Sequence, residues 1–266
     1  MGAREFSMTT FSARKLIFAV AMTFASTGAA LCADEVEPET GLWKYQITGY
    51  GWLAGVTGDV GILGLPAAHV DISPFDALED LSGALSGSLL ASNGTWMLYG
   101  DALWAQLSND DAADLRDGTV NVGYQQTQWL VSGLAGHVIP LNVPGLELYA
   151  TAGARYQYLK GTLDVDTARF GSVSRSRSKN WIDPVIGLAF HYDFNDRWFL
   201  NGMGDIGGFG VGSDFTAQAF AAVGYNWTER FSTAIGYRAL YTDYDKGGFD
   251  YNVTQHGLYT SIAYHF

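Results

Sequence analysis

Carboxylates, histidines and one thiol are the side chains in this sequence that could carry reactivity, and their spacing decides what they can do. The chain has five histidines and a single cysteine, Cys32. Asp243, Asp245 and Asp250 surround Gly247-Gly248 and resemble a loose calcium loop, but their spacing fits no oxygen-ligand template, so no metal site is assigned. The run Asn109-Asp110-Asp111 could activate water only with a histidine at hand. His137 and His265 instead fall beside turns at the other end of their segments, and His191 lies within one. His256 is the best placed by its side of the chain, yet it has only Thr254 and Gln255 beside it. No catalytic set and no cofactor are therefore expected. Gly204, Gly207, Gly208, Gly210 and Gly212 precede no helix that could hold a phosphate, and they read as a strand bend or close contact.

The remaining chemistry is electrostatic. Lys44, Asp101, Arg155, Asp183, His191, Asp205 and Arg238 each sit in an alternating segment on the parity opposite to its apolar residues. Such groups must neutralise one another or line water, because unpaired desolvation is expensive. Either a salt-bridge network or a polar conduit satisfies that requirement. Arg175, Arg177 and Lys179 alternate with serines and continue the parity of Asp183, forming a basic ladder. Asp59, Asp71, Asp76, Glu79 and Asp80 gather in an early stretch with no Lys or Arg. Within that stretch Pro74 to Leu81 can form a short helix, with Ser73 as its cap and Pro74 in its first turn. Two outcomes are open: the acids fold inward onto the arginine ladder as a plug, or both sets are solvated loop charges.

The elements that carry these residues are strands. From Trp43 to the end the sequence alternates with period two and shows no helical period of any length. Ile182, Pro184, Ile186, Leu188, Phe190, Tyr192 and Phe194 alternate with Asp183, Val185, Gly187, Ala189, His191 and Asp193. Leu258, Thr260, Ile262, Tyr264 and Phe266 do the same against Gly257, Tyr259, Ser261, Ala263 and His265. Only Gln125 to Val138 is ambiguous, with apolar residues on both parities. Tight turns are expected at Asn93-Gly94, Pro140 to Gly145, Asn195-Asp196 and Thr228-Glu229. Long polar loops are expected near 58–83, 108–118, 161–179, 208–214 and 243–250. Short and long connections alternate strictly, as in a transmembrane barrel, and the count is ten strands with both termini on the short-turn side. Eight or twelve strands are the alternatives. Trp43, Trp96, Trp104, Trp181, Trp198, Trp227, Tyr241 and Tyr264 lie near segment ends and are expected to form interfacial girdles.

Composition agrees. Aromatics make up 14% of the chain and charged residues only 16%, against roughly a quarter charged in a globular domain. The first thirty or so residues read as a cleavable leader, with Arg14 and Lys15 before an apolar stretch that is too short to span a bilayer. The boundaries expected are 1–33 for the leader and 34–266 for an all-β barrel domain. Cys32 raises lipidation as a second possibility. Without residues 1–33 the chain has 12 basic and 26 acidic residues, a balance of −14. Nucleic acid, which would repel it, is not an expected partner.

An alternating terminal strand with Tyr264 third from the end and a final Phe266 resembles the assembly signal of Gram-negative outer-membrane β-barrels. Gly49-Tyr50-Gly51-Trp52-Leu53, Gly58-Asp59-Val60-Gly61 and Val70 to Leu81 are similar to an uncharacterised porin-like barrel family. The resemblance implies an outer-membrane location, with lipid, lipopolysaccharide and the outer-membrane assembly machinery as partners. It implies no activity. A structural or narrow porin-like role for small solutes is expected, with an adhesin acting through its acidic loops as alternative and a rim enzyme behind both.

Overall fold

The computed structural model describes residues 41–62, 67–115, 118–167 and 171–266; the expected leader 1–33, with Cys32, lies outside the described residues. Eleven strands and one helix follow in order: β1 Lys44–Ile62, β2 Ala68–Ile72, α1 Pro74–Glu79, β3 Leu81–Ser92, β4 Trp96–Leu115, β5 Gly118–Val138, β6 Leu146–Thr167, β7 Gly171–Asp193, β8 Trp198–Gly207, β9 Phe215–Asn226, β10 Phe231–Lys246 and β11 Phe249–His265. From β3 to β11 each strand pairs antiparallel with the next, and β11 returns to β1 from Gln46↔His265 to Ile62↔Phe249. That closure joins the first and last strands into an up-and-down barrel of ten strands, although β1 pairs with β3 only from Lys44↔Ser92 to Gly49↔Gly87. The eleventh, β2, is an appendage on β1.

Closure is possible because the alternation holds around the ring. On β1, Ile47 is 49% exposed and its neighbour Thr48 only 5%; on β7, Ile186 is 52% exposed and Val185 only 1%. The apolar parity therefore points out and the mixed parity points in. The segment that the sequence left ambiguous resolves the same way, with Gln128, Leu130, Ser132 and Leu134 buried inside and Trp129 and Val131 exposed. An outer wall of Ile, Leu, Val and aromatic side chains belongs in hydrocarbon, and a closed barrel is one of the two structures whose backbone tolerates that medium.

The four short turns form where turn chemistry demands them. Asn93 Oδ1 accepts from the backbone N–H groups of Thr95 and Trp96, and Gly94 takes φ +80. Asn195 accepts likewise from Arg197 and Trp198, and Thr228 from Arg230 and Phe231. The fourth closes at Gly145, φ +77. At the other end the expectation needs correction. Two of the five long loops, 108–118 and 161–179, are ladder-paired strand down to Leu115↔Gly118 and Thr167↔Gly171. Outside the bilayer both faces of a hairpin are wet, so the apolar alternation fades while backbone pairing continues. The segment 243–250 is likewise a tight hairpin, turning at Gly247 and Gly248. Among the described residues, 208–214 is irregular, while 58–83 carries β2 and α1.

The aromatic girdle needs one correction too. Around the short-turn end the rings touch in series: Trp198 with Tyr225 at 5.0 Å, Tyr225 with Trp227 at 4.8 Å, Phe231 with Tyr264 at 5.0 Å, and Tyr45 with Phe266 at 5.7 Å. Trp181, expected in a girdle, is instead buried in the lumen and stacked on Tyr244 at 4.4 Å. It shares the parity of Asp183, and parity, not aromaticity, decides the side of the wall it occupies.

Candidate functional site

The lumen is filled in layers. Tyr50, Leu103, Leu130, Leu240 and Tyr259 pack its middle, Trp181, Tyr244, Tyr251 and Val253 its long-loop end, and Met97, Tyr149 and Ala189 its short-turn end. Through the middle layer runs a chain of charges. Asp101 on β4 accepts from Arg238 on β10, across the barrel, at 3.0 Å. Tyr50 on β1 donates to the second Asp101 oxygen at 2.7 Å and accepts from Arg238 at 3.1 Å. Arg238 also donates to Gln218 Oε1 at 2.9 and 3.2 Å, and Gln218 passes the connection on by donating to Asp205 at 3.3 Å. Asp205 on β8 takes a two-pronged ion pair from Arg155 on β6, at 2.7 and 2.8 Å. Both side chains of that pair have no solvent exposure. Trp52 closes the far side, with the Arg238 guanidinium 4.9 Å over its ring, and its indole N–H donates to the Arg238 carbonyl at 3.2 Å.

Of the seven charges that parity assigns to the lumen, this belt joins four: Asp101, Arg155, Asp205 and Arg238. Asp183 is fully buried but serves the loop instead, accepting from the Ser213 N–H at 2.6 Å and from Trp181 Nε1 at 3.1 Å. It faces Arg155 in register, yet Arg155 turns to Asp205. Lys44 is exposed at the short-turn end. His191, at the same end, bonds Asn201 at 2.6 Å and Asp193 at 3.1 Å. The neutral members, Tyr50, Gln218 and Thr216, whose hydroxyl accepts from Arg155 at 3.4 Å, share the inward parity and would have been found by counting every polar side chain on it. Gln128 and Gln255 make a second crossing, each donating to the other at 2.8–2.9 Å.

Arg175 and Arg177 stand exposed on the lumen-side row of β7, and Lys179 donates to the Lys246 carbonyl at 3.4 Å. Among the described residues the acids of the first connection make no ion pair with Arg175, Arg177 or Lys179, so the inward acidic plug is not seen there. Asp59 bonds His69 at 3.0 Å, Asp71 accepts from Thr57 at 3.3 Å, and Asp76 accepts from its cap Ser73 at 2.8 Å. These acids lie on β1, β2 and α1 beside the wall, because the edge of β1 offers β2 a ladder that the lumen cannot. The helix itself forms over Pro74–Glu79 as its cap and proline require. His256 faces outward and bonds Tyr237 at 2.6 Å, while His265 bonds Ser232 at 2.9 Å. Tyr264 joins the outer girdle, and Phe266 exchanges backbone hydrogen bonds with Tyr45 at 2.9 and 3.0 Å.

With two guanidinium groups matched by two carboxylates, the belt is neutral and internally bonded. Its chemistry is cross-bracing: it ties β1, β4, β6, β8, β9 and β10 together through their inner faces.

No protein-family model matches the chain. No curated protein matches it either. Solved structures do. The outer-membrane protease OmpT of Escherichia coli aligns at TM-score 0.53 and 13% identity, covering 86% of this chain and 98% of that one. The translocator domain of autotransporter NalP from Neisseria meningitidis aligns at TM-score 0.45 and 12% identity over 85% and 90%. The attachment invasion locus protein Ail of Yersinia pestis aligns at 0.34 and 14% over 84% and 98%. Closed ring, apolar outer wall and aromatic girdle together make this chain a membrane-spanning β-barrel with the fold of Gram-negative outer-membrane proteins.

Proposed function

We propose that the protein is a sealed, non-catalytic barrel of the outer membrane: a structural wall element that holds long β-hairpins outside the bilayer, and not an open porin. The observation that carries this reading is the unbroken hydrogen-bonded chain Asp101–Arg238–Gln218–Asp205–Arg155, crossing a lumen in which neither the Arg155 nor the Asp205 side chain has any exposure. A barrel of about ten strands has little room once its interior is filled with side chains. A conducting pore would leave charges wetted along a continuous path, whereas here the layers around Trp181 and Tyr244 and around Met97 and Tyr149 lie on either side of the paired charges.

Tyr264 on β11 and Phe266 just after it are read as the signal for an outer-membrane assembly machinery, a reading supported by their position beside the β11–β1 closure. Lipid and lipopolysaccharide are the surroundings that the outer wall fits. The test is planar-bilayer recording on the purified, refolded protein. The sealed reading expects no resolvable unit steps from the wild type, and steps appearing when Arg238, Leu130 and Leu240 are all cut to alanine. Steady porin-like steps from the wild type would refute it.

A further inference from the structure

Beyond the aromatic layer of Trp181 and Tyr244, the outer ends of the strands sort their charges by side. Thr162 on β6 donates to Ser176 on β7 at 3.1 Å, and Ser176 carries the parity of the outward Ile182. The serines of β7 therefore face out, and Arg175, Arg177 and Lys179 between them face in. Lys246 of β10 shares the inward parity of the buried Thr242 and Tyr244. The acids take the other side. Asp164 on β6 stands opposite Ser174, Asp243 and Asp245 on β10 carry the parity of the exposed Tyr237, and Asp250 on β11 that of the exposed Leu258. Among the described cations of these strand ends, Lys160 alone faces out, opposite Ser178.

The inner side of this mouth is rich in donors and poor in acceptors. Lys179 donates to the Lys246 carbonyl at 3.4 Å, and Lys246 to the Gly210 and Val211 carbonyls at 2.8 and 3.3 Å. Arg175 and Arg177 are exposed, and among the described residues no carboxylate pairs with any of these four cations. Opposite Arg177 stands Gly161, and a Cβ there would lie 4.0 Å from the Tyr124 ring and hydroxyl, so Arg177 and Tyr124 flank one gap. Tyr124 donates to Gln126 Oε1 at 2.8 Å, which leaves the N–H groups of Gln126 to a ligand. In the layer beneath, Tyr251 is 5% exposed and its hydroxyl has no partner.

Arginine meets phosphoryl groups fork to fork, two N–H donors to two oxygens. Successive inward side chains of a strand stand about 7 Å apart, so Arg175 and Arg177 can close on one such group or on two neighbours. A phosphoryl group offers more acceptor oxygens than a carboxylate to a row that is short of them. The acidic outer side repels a long polyanion, and lipid phosphates stand against the outer wall, which selects a compact and soluble ligand. We propose that the outer mouth is a binding site for such a ligand with two or more phosphoryl groups, held by Arg175, Arg177 and Lys179 with Gln126 and Tyr251 as neutral donors. The site sits above the packed lumen and needs no passage through it.

The experiment titrates inositol hexakisphosphate, a compact polyphosphate, into the folded full chain in a neutral detergent, followed by calorimetry. One saturable site per barrel is expected, weakening by about tenfold or more when salt rises from about 0.1 M to about 1 M. Arg175→Gln with Arg177→Gln should weaken it by about tenfold or more, and Arg230→Gln at the short-turn end should leave it unchanged. No saturable binding, or an equal loss from Arg230→Gln, would overturn the site. Benzenehexacarboxylate should bind at least about tenfold more weakly; equal affinity would overturn the phosphoryl assignment. The wild type supplies a readout that does not depend on how the variants fold. Phenylglyoxal should modify Arg175, Arg177 and Arg230, and inositol hexakisphosphate should protect the first two alone; protection of all three alike, or of none, would overturn the site. With phosphatidylglycerol vesicles in place of detergent and no added ligand, Arg175 and Arg177 should stay open to the reagent, and protection by lipid alone would overturn the soluble ligand. Binding is read without conductance, so this site and the sealed lumen fail separately.

Discussion

Removing one partner of the Arg155–Asp205 pair should destabilise the barrel far more than removing both. Two unit charges 2.7 Å apart attract by about 6 kcal/mol at an effective dielectric of ~20, and this offsets a desolvation penalty of several kcal/mol per ion. The intact pair is therefore close to neutral in net terms, whereas a single orphan carries its penalty with no return. Asp205→Asn leaves the guanidinium with Thr216 at 3.4 Å and an Nε that has no partner, and a guanidinium cannot shed its charge. The expected loss is about 3–5 kcal/mol. Arg155→Met leaves Asp205 with only Gln218, a similar loss. The double variant Arg155→Met/Asp205→Leu should return to within about 1–2 kcal/mol of wild type. Urea titration in lipid vesicles, read by Trp fluorescence and by the heat-dependent gel shift of folded barrels, measures all three. A single variant losing less than about 1 kcal/mol, or a double variant worse than both singles, would refute the account of the belt as a desolvated, mutually compensated chain.

Deleting Phe266 removes two backbone hydrogen bonds to Tyr45 and a ring contact, together about 2–3 kcal/mol, and should lower the folded fraction recovered from membranes on the same gel. Gly145→Ala places a side chain at φ +77, with its Cβ 2.8 Å from the Asp193 carbonyl, and should destabilise by about 1–2 kcal/mol in urea. Neutralising Arg175 and Arg177 together should leave bilayer conductance unchanged, since the acids of the first connection do not reach them; a rise in conductance would restore the plug. Asp183→Asn should loosen the 208–214 loop that Asp183 holds through Ser213, seen as faster hydrogen exchange at Gly212 and Ser213 with little change in global stability.

Much of the barrel was legible because its wall separates hydrocarbon from a packed interior, and alternation records that separation at every second residue. Ile182 to Phe194 suffices to show which way β7 faces. The turns at Asn93 and Asn195 were legible because their side chains do the turning. The hairpins beyond the membrane, Ser108 to Leu115 and Gly118 onward, were not, since water on both faces leaves no pattern to read. The belt was half legible. Parity identified Arg155, Asp205, Asp101 and Arg238 as inward, but a search for charge passed over Gln218, the residue that connects the two pairs.

Partner choice is where sequence information ends. Arg155 and Asp183 are register neighbours, and nothing local says that the guanidinium should reach past β7 to Asp205 while Asp183 turns to a loop amide. That choice depends on strand stagger and barrel curvature, which bring together side chains 50 residues apart. The stretch 50–55 of β1, paired with β11 but without a ladder to β3, is of the same kind. Sequence alone determined strand number, facing and turn sites, because each is set by residues a few positions apart and by the medium they meet. The tertiary structure decided which charges pair and where the ladder fails, because those depend on the geometry of closing a ring.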